Sequence, residues 1–474
     1  MTSTQRTKTK SMLLMALTCL LSAPAQAQCG ELTWLEAINQ GLDANQELVA
    51  ARQTLDAQQK DIAIARSTML PDLFFLGQGQ ASKETTFSSS GGVIPEQTIM
   101  AGGEVTETLY NQSFIDSLGA QKHLYASQQE TFEDTRNQTI AEVGQSYVGV
   151  LLAAALMGLQ YENVALSQQS LDLTEAQEQS GEVPYSNVLR TKSQLYGAQQ
   201  QVVAQKSSLL QSRFQFNQVR NRPAEESCEL EPLNVERNGF VFSSGVVAEA
   251  LADDAKASLL RDYLVELGLD RSRSLKSLDA EILAERRTMK SGKRWLIPSL
   301  DATFYVASFL KTSQDPTTGD TRDGDFIWQG ALTLNWNVLD GGAFIAKMNQ
   351  SKAEYWSLSS QRNNLAITLE ENIRGTAAMA MAAFERIGLA VLQAETAEQN
   401  FALVREAYLD GASTLLELID AQDQLISANT SERQALYQFL SDLLTLEQSM
   451  AYFPFLEPDA RARVREVESK LQGR

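Results

Sequence analysis

Two carboxylates three residues apart, Glu417 and Asp420, stand in the stretch YLDGASTLLELIDAQDQLISA, Tyr408 to Ala428. Laid out at roughly 100° per residue, Leu415, Leu418, Ile419, Gln422, Leu425 and Ile426 fall in one sector of a helix, with Glu417, Asp420 and Gln424 opposite. Carboxylates so placed hold cations or protons, and several copies brought together raise one another's pKa. The same residues also have a plain structural reading. Thr414-x-x-Glu417 matches a capping box, in which the glutamate reaches back to its helix N-terminus, and an acidic helix face is one that water solvates.

Little else in the chain suggests chemistry. There is one histidine, His123, inside a helical pattern, so no histidine-rich zinc site can be built within one copy. The Gly-Gly pairs beginning at Gly91, Gly102 and Gly341 fall at strand ends or loops, and no nucleophile elbow, phosphate loop or dinucleotide fingerprint is present. The expectation is a protein that is not an enzyme and that carries no metal and no cofactor.

The elements that position the carboxylates begin behind a leader. Arg6, Lys8 and Lys10 precede an apolar run from Ser11 to Ala23 and the small-residue site Ala25-Gln26-Ala27, which reads as a secretory signal peptide over residues 1–27. No later stretch is expected to reach the roughly 18 uncharged apolar residues of a membrane helix, so any membrane part is expected to be made of strands. The formal charge of −19 falls to −22 once the three leader cations are lost, which disfavours nucleic acid as a partner. Cys19 leaves with the leader. Cys29 and Cys228 remain in an oxidising compartment, where a disulfide is expected; lipid on Cys29 is disfavoured because Gln28, not a small residue, precedes it.

The mature chain reads as one half repeated. Residues 28–232 and 233–452 each run through helix, a Leu/Ile-Pro stop (Leu70-Pro71, Ile297-Pro298), two strands, a long helix, a glycine-led turn and a second helix; a charged tail occupies 453–474. Helix is expected from Cys29 to Met69, from Phe114 to about Ser180, from Ser186 to about Arg220, from Val246 to about Lys290, and on both sides of a second hairpin, reaching about Met450. The hairpin QSGEVPYSNVLRTKSQLYGA, Gln179 to Ala198, is the weaker copy of the opening stretch, with Gly181 matching Gly411. The helix after Phe114 would be roughly 100 Å long, which implies a coiled coil or helical barrel. In FIWQGALTLNWNV, Phe326, Trp328, Leu332, Leu334, Trp336 and Val338 alternate with a largely polar set, which suits either a sandwich core or a membrane barrel with a wet lumen. Two strands per half cannot close a barrel in lipid, so a barrel must be shared between copies.

This order of elements, carried by both halves over almost the whole mature chain, resembles the TolC-type outer membrane efflux factors. The resemblance implies a mainly α fold with a small β part. Duplicated hairpins of long helices form a periplasmic α-barrel tunnel in a homotrimer, and four strands per copy join one shared barrel through outer-membrane lipid. Phe326, Trp328, Leu332, Leu334 and Trp336 would face that lipid. It further implies an exit duct for efflux or type I secretion, with a periplasmic adaptor meeting the hairpin turns at Gly181 and Gly411 and an inner-membrane transporter supplying the cargo. The family's acidic constriction falls on Glu417 and Asp420 and its tying tyrosine on Tyr408. Its arginine and first-hairpin acid are replaced by Ser413 and Asn187, which puts the family's locking network in question here. The runner-up is a structural or adhesive coiled-coil protein of the envelope, which has no need of paired aromatic strands at matching points of two repeats.

Overall fold

The computed structural model of the chain describes residues 28–81, 86–87, 93–94, 97–235, 237–241, 244–251, 253–292, 297–313 and 321–456. The leader, most of the Ser/Gly loop between the first two strands, the middle of the polar loop 311–325 and the charged tail beyond Leu456 lie outside the described residues. The described residues form two compact units, each drawing on both sequence halves. One comprises residues up to Val49, Thr135–Ser272 and those from Thr368; the other comprises Ala50–Asp134 and Arg273–Ile367.

The first residues differ from their helical reading. Gln28–Leu32 is a strand, β1, paired in parallel with Ser227–Leu230, which becomes β6 in chain order. Helix α1 (Trp34–Ala44) starts only after Thr33, whose hydroxyl accepts the Glu36 N–H while the Glu36 carboxylate accepts the Thr33 N–H. It stops at Asn45, which caps α2 (Gln46–Ser67) by accepting the N–H groups of Glu47 and Leu48 and donates to the Val219 carbonyl. One side chain therefore divides what periodicity reads as a single helix.

Beyond α2 come β2 (Asp72–Ala81), a two-residue ladder of β3 (Thr86–Phe87) and β4 (Val93–Ile94), and β5 (Gln97–Tyr110). Then follow α3 (Gln112–Gln179) and α4 (Tyr185–Val219) as expected, and β6. The helix expected over Val246 to Lys290 is three: α5 (Ser244–Leu251), α6 (Asp254–Arg271) and α7 (Arg273–Gly292). Asp253 caps α6 by accepting the Ala255 N–H, and buried Ser272 turns extended after α6 while its N–H still reaches the Gly268 carbonyl. The chain closes with β7 (Ser299–Thr312), β8 (Phe326–Asn335), α8 (Ala343–Leu409) and α9 (Leu415–Ser449).

In the unit that carries both hairpins, the core gathers Trp34, Val143, Tyr147, Phe240, Leu264, Ile373, Phe439 and Leu443. Trp34 meets Tyr147 edge-on at 5.3 Å and Phe455 at 5.5 Å, so Phe453 to Leu456, read as part of the tail, belong to the core. Each such fully buried side chain contributes about 1.5–3 kcal/mol. The expectation that no segment after the leader is apolar enough to cross a membrane is corrected. Both α3 and α8 hold an 18-residue window of mean hydropathy 1.5 and 1.3, respectively. Val143, Tyr147, Val150 and Ala153 on α3, and Ile373, Ala377 and Ala380 on α8, face this core instead.

In the other unit, the sheet order is β2-β5-β7-β8, antiparallel throughout, so each half supplies a hairpin and the β5–β7 ladder joins the halves. Gly102 lets β5 and β7 approach: a Cβ there would collide with the Val306 carbonyl oxygen. Register puts Leu73 and Phe75, Val105, Phe304 and Val306, and Trp328, Leu332 and Leu334 on one face. The opposite face carries Glu104, Thr106, Tyr305, Gln329 and Asp301, where Asp301 accepts from Thr108 and Asn335. Strand β8 ends at Asn335, paired with Ser299, the first residue β7 offers after Pro298. Trp336 and Val338 therefore lie just beyond the strand that the alternation extended through them, and both are exposed.

Glu447 on α9 is fully buried, with one carboxyl oxygen accepting the Val241 N–H at 2.7 Å and the other without a partner among the described residues. Burial raises its pKa well above the usual carboxylate range. The folded protein thus holds a proton that the unfolded chain releases near a pKa of about 4.3. This contribution to stability is complete below that value and is lost as pH rises through the folded pKa. Glu447→Gln keeps the acceptor and never ionises. It is expected to gain on wild type as pH rises, by up to about 1.4 kcal/mol per pH unit until the folded pKa is passed, in denaturant melts of the solubilised protein. A gap that stays constant with pH contradicts a buried, protonated Glu447.

Candidate functional site

Both hairpins turn on the same device. Gly181 and Gly411 adopt left-handed backbone, φ +81° and +72°. Glu182 N–H reaches the Gln177 carbonyl and Ala412 N–H the Ala407 carbonyl, so each long helix ends in a Schellman motif that any Cβ would strain. Helix α4 then starts after Pro184, and α9 after Thr414.

The start of α9 places the two acidic residues differently. Thr414 Oγ1 accepts the Glu417 N–H, and Glu417 Oε2 accepts from the Thr414 N–H at 2.7 Å, the Thr414 hydroxyl at 3.1 Å and the Ser413 hydroxyl at 2.6 Å. Glu417 therefore realises the capping box, and the Ser413 hydroxyl, then the Thr414 donors, hold its pKa down. Asp420, one turn on, is exposed and accepts only from Gln424 among the hydrogen bonds found. No contact joins the two carboxylates.

The residues at the positions that the resemblance assigns to the family's ties each have their own local partners here. Tyr408 is buried and its hydroxyl donates to Gln177 Oε1 at 2.8 Å, across to α3. Ser413 serves Glu417. Asn187 sits half-buried in the first turn of α4, where its backbone N–H and carbonyl bond Pro184 and Thr191. The gate-associated residues thus split into separate contacts, with Gln177 taking the tyrosine.

Three further residues matter that sequence reasoning did not single out as functional. Gln422, on the apolar face of α9, is buried and bonded to Asn163, Ser167 and Ser170 of α3; a glutamine among Leu415, Leu418 and Leu425 was the available signal. Gln177 carried none. Asp423 accepts from Gln194 of α4 at 3.4 Å, and burial, with the Asp420 charge adding to it, pushes its carboxyl up. His123 is partly buried on α3, and burial, then the Arg287 charge, lowers its pKa. Among the described residues no group of three or more His, Cys, Asp or Glu side chains is placed to hold a metal.

Comparison with known proteins adds a second line. The model of the outer membrane efflux protein family matches residues 37–220 and 264–451, once in each half. Nodulation protein T of Rhizobium leguminosarum bv. trifolii is 22% identical over 428 residues, 85% of this chain and 82% of that protein. Outer membrane protein TolC of Escherichia coli (strain K12) is 20% identical over 424 residues, 88% and 81% of the two chains. The Campylobacter jejuni CmeC outer membrane channel superposes with a TM-score of 0.72 at 14% identity, covering 92% of this chain and 89% of its own, which is a likeness of fold.

The capping geometry predicts that Thr414→Ala removes about 1 kcal/mol from the start of α9. Amide exchange at Glu417 and Leu418, whose N–H groups bond Thr414, is expected to accelerate roughly fivefold while the body of α9 is unchanged. Equal exchange in both proteins would mean that Glu417 is not held by the cap.

Proposed function

The chain belongs to the outer membrane efflux protein family, a family of outer-membrane efflux proteins and not of enzymes, and we propose that it is the trimeric exit duct of a tripartite efflux or type I secretion system. In this reading, an inner-membrane transporter and a periplasmic adaptor deliver drugs, other small molecules or proteins, which leave through the periplasmic tunnel and the outer-membrane barrel.

The observation that carries the reading is the four-stranded sheet, apolar on one face, polar on the other and open at both edges. In hydrocarbon an unpaired edge is prohibitively costly, so β2 of one copy meets β8 of the next, and three copies close the ring around a polar lumen. Phe326, Trp328, Leu332 and Leu334 then face lipid, with Trp336 at the rim where interfacial tryptophans collect. The adaptor meets the turns at Gly181 and Gly411, beside exposed Tyr185, Leu189, Leu409 and Leu416. A coiled-coil scaffold of the envelope has no use for a sheet that joins the two halves.

At the hairpin end, Asp420 is the gate carboxylate of each copy and Glu417 contributes less, since its oxygen is engaged by the cap. Cys228 is disulfide-bonded, and Cys29, on the strand paired with β6, is its proposed partner; the bond ties the mature N-terminus to the boundary between the halves.

Single-channel recording of the purified protein in planar bilayers tests the duct and its gate together. The wild type is expected to form cation-selective pores that divalent cations block. Asp420→Ala is expected to weaken that block roughly tenfold and raise resting conductance, and Glu417→Ala to do so by a smaller factor. Pores whose selectivity and block are the same in all three proteins would remove these residues from the gate.

A further inference from the structure

Along the buried face of α9, Leu415, Leu418, Ala421, Leu425 and Ala428 pack as an apolar stripe interrupted by Gln422, which is 1% exposed. Its Nε2 donates to Asn163 Oδ1 at 3.1 Å and to Ser167 Oγ at 2.9 Å, and its Oε1 accepts from Ser170 Oγ at 3.4 Å. The three partners follow one another at four- and three-residue spacing, one stripe of α3, so both amide hydrogens and the amide oxygen are used. Neighbouring buried hydroxyls do no such bridging: Thr174 and Thr191 bond carbonyls of their own helices. Gln422 thus sets a buried, three-bonded polar link inside the apolar stripe of α9, apart from the Tyr408–Gln177 and Asp423–Gln194 bonds that also join the second hairpin to the first half.

We infer that Gln422 is a positioning residue of the gate, a fastening that sets the closed register of α9 on α3 and releases in water. The inference rests on the reading of these hairpins as the moving end of a duct. Its logic is an asymmetry between polar and apolar contacts. Separating two apolar surfaces exposes them at an uncompensated cost in proportion to area, whereas a glutamine lifted off its partners exchanges protein hydrogen bonds for water at little net cost. While α9 is seated, however, a shift that breaks the three bonds leaves buried donors and acceptors unpaired, so only one register is cheap. An apolar residue at 422 would hold the helices together without that choice of register and without easy release.

Opposite effects are expected from two changes at the same contact. Ser167→Ala takes an acceptor from the seated amide and is expected to raise the resting open fraction about threefold. Gln422→Leu joins the apolar stripe and is expected to lower it roughly tenfold, with Gln422→Met in the same direction. The combined Ser167→Ala/Gln422→Leu protein should be as closed as the leucine variant, because the serine effect vanishes without the amide. Resting open fractions of full-length wild type and these variants, recorded in planar bilayers, decide the matter. A general loss of packing would open every variant alike. That outcome, or open fractions that do not move while pores form normally, overturns the assignment of Gln422 and leaves the duct reading standing. Absence of pores in every protein, wild type included, overturns the duct reading and this inference with it.

Discussion

Backbone N–H and C=O groups that leave water must find partners, and the four-stranded sheet of this chain meets that demand only inside itself. Its three ladders pair the four strands in sequence, and the central β5–β7 ladder depends on both halves of the sequence being present. Its outer strands, β2 and β8, each keep an unsatisfied edge, and each carries large apolar side chains exposed on one face, Phe75 on β2 and Trp328 on β8 among them. Such an edge in water invites aggregation, and in lipid it is not tolerated. The proposed assembly answers both problems: two hairpins make a wall segment, and neighbouring copies would supply the missing pairs.

The helical hairpins follow a different economy. Their turns are set by backbone geometry at Gly181 and Gly411, and in the second hairpin the first turn of α9 is set by the Thr414 cap, so Glu417 is committed to structure. That leaves Asp420, exposed and bonded only to Gln424 among the hydrogen bonds found, as the carboxylate that the proposed gate would use, with Asp423 one turn further into the helix pushed up by burial. Two of the contacts that join the second hairpin to the first half, Tyr408 with Gln177 and Gln422 with its three partners, are uncharged, and a third, Gln194 with Asp423, has a carboxylate on one side only. With Ser413 and Asn187 at the positions where the family carries charge, the closed state of the proposed duct would rest mainly on uncharged hydrogen bonds, which ionic strength affects little.

Legibility in the sequence followed the range of the interactions. The glycine-led turns, the Leu-Pro and Ile-Pro stops and the alternation of β8 are local signals, and each marks its element to within a few residues. The pairing of β1 with β6 is not local: two short strands almost 200 residues apart have no period to show, and Gln28–Leu32 reads as the front of a helix. Asn45 and Ser272 break helices without proline or glycine, through bonds and burial supplied by the rest of the fold. Trp336 continues an alternation whose partner strand has already ended. At the site, the capping box at Glu417 was readable as one of two alternatives, whereas Gln177 and Glu447 acquire their roles only from what packs against them.

The most direct test of the account is whether the free edges of the sheet meet between copies. Cysteines placed at Gln78 on β2 and Gln329 on β8, both on the polar face by register, with the second site stepped by two residues along β8, can be oxidised in isolated outer membranes. The account predicts that one register yields covalent dimers and trimers and nothing larger, as expected of a closed ring of three. Absence of any intermolecular cross-link across the scan, in protein that runs as a monomer in mild detergent, would contradict it.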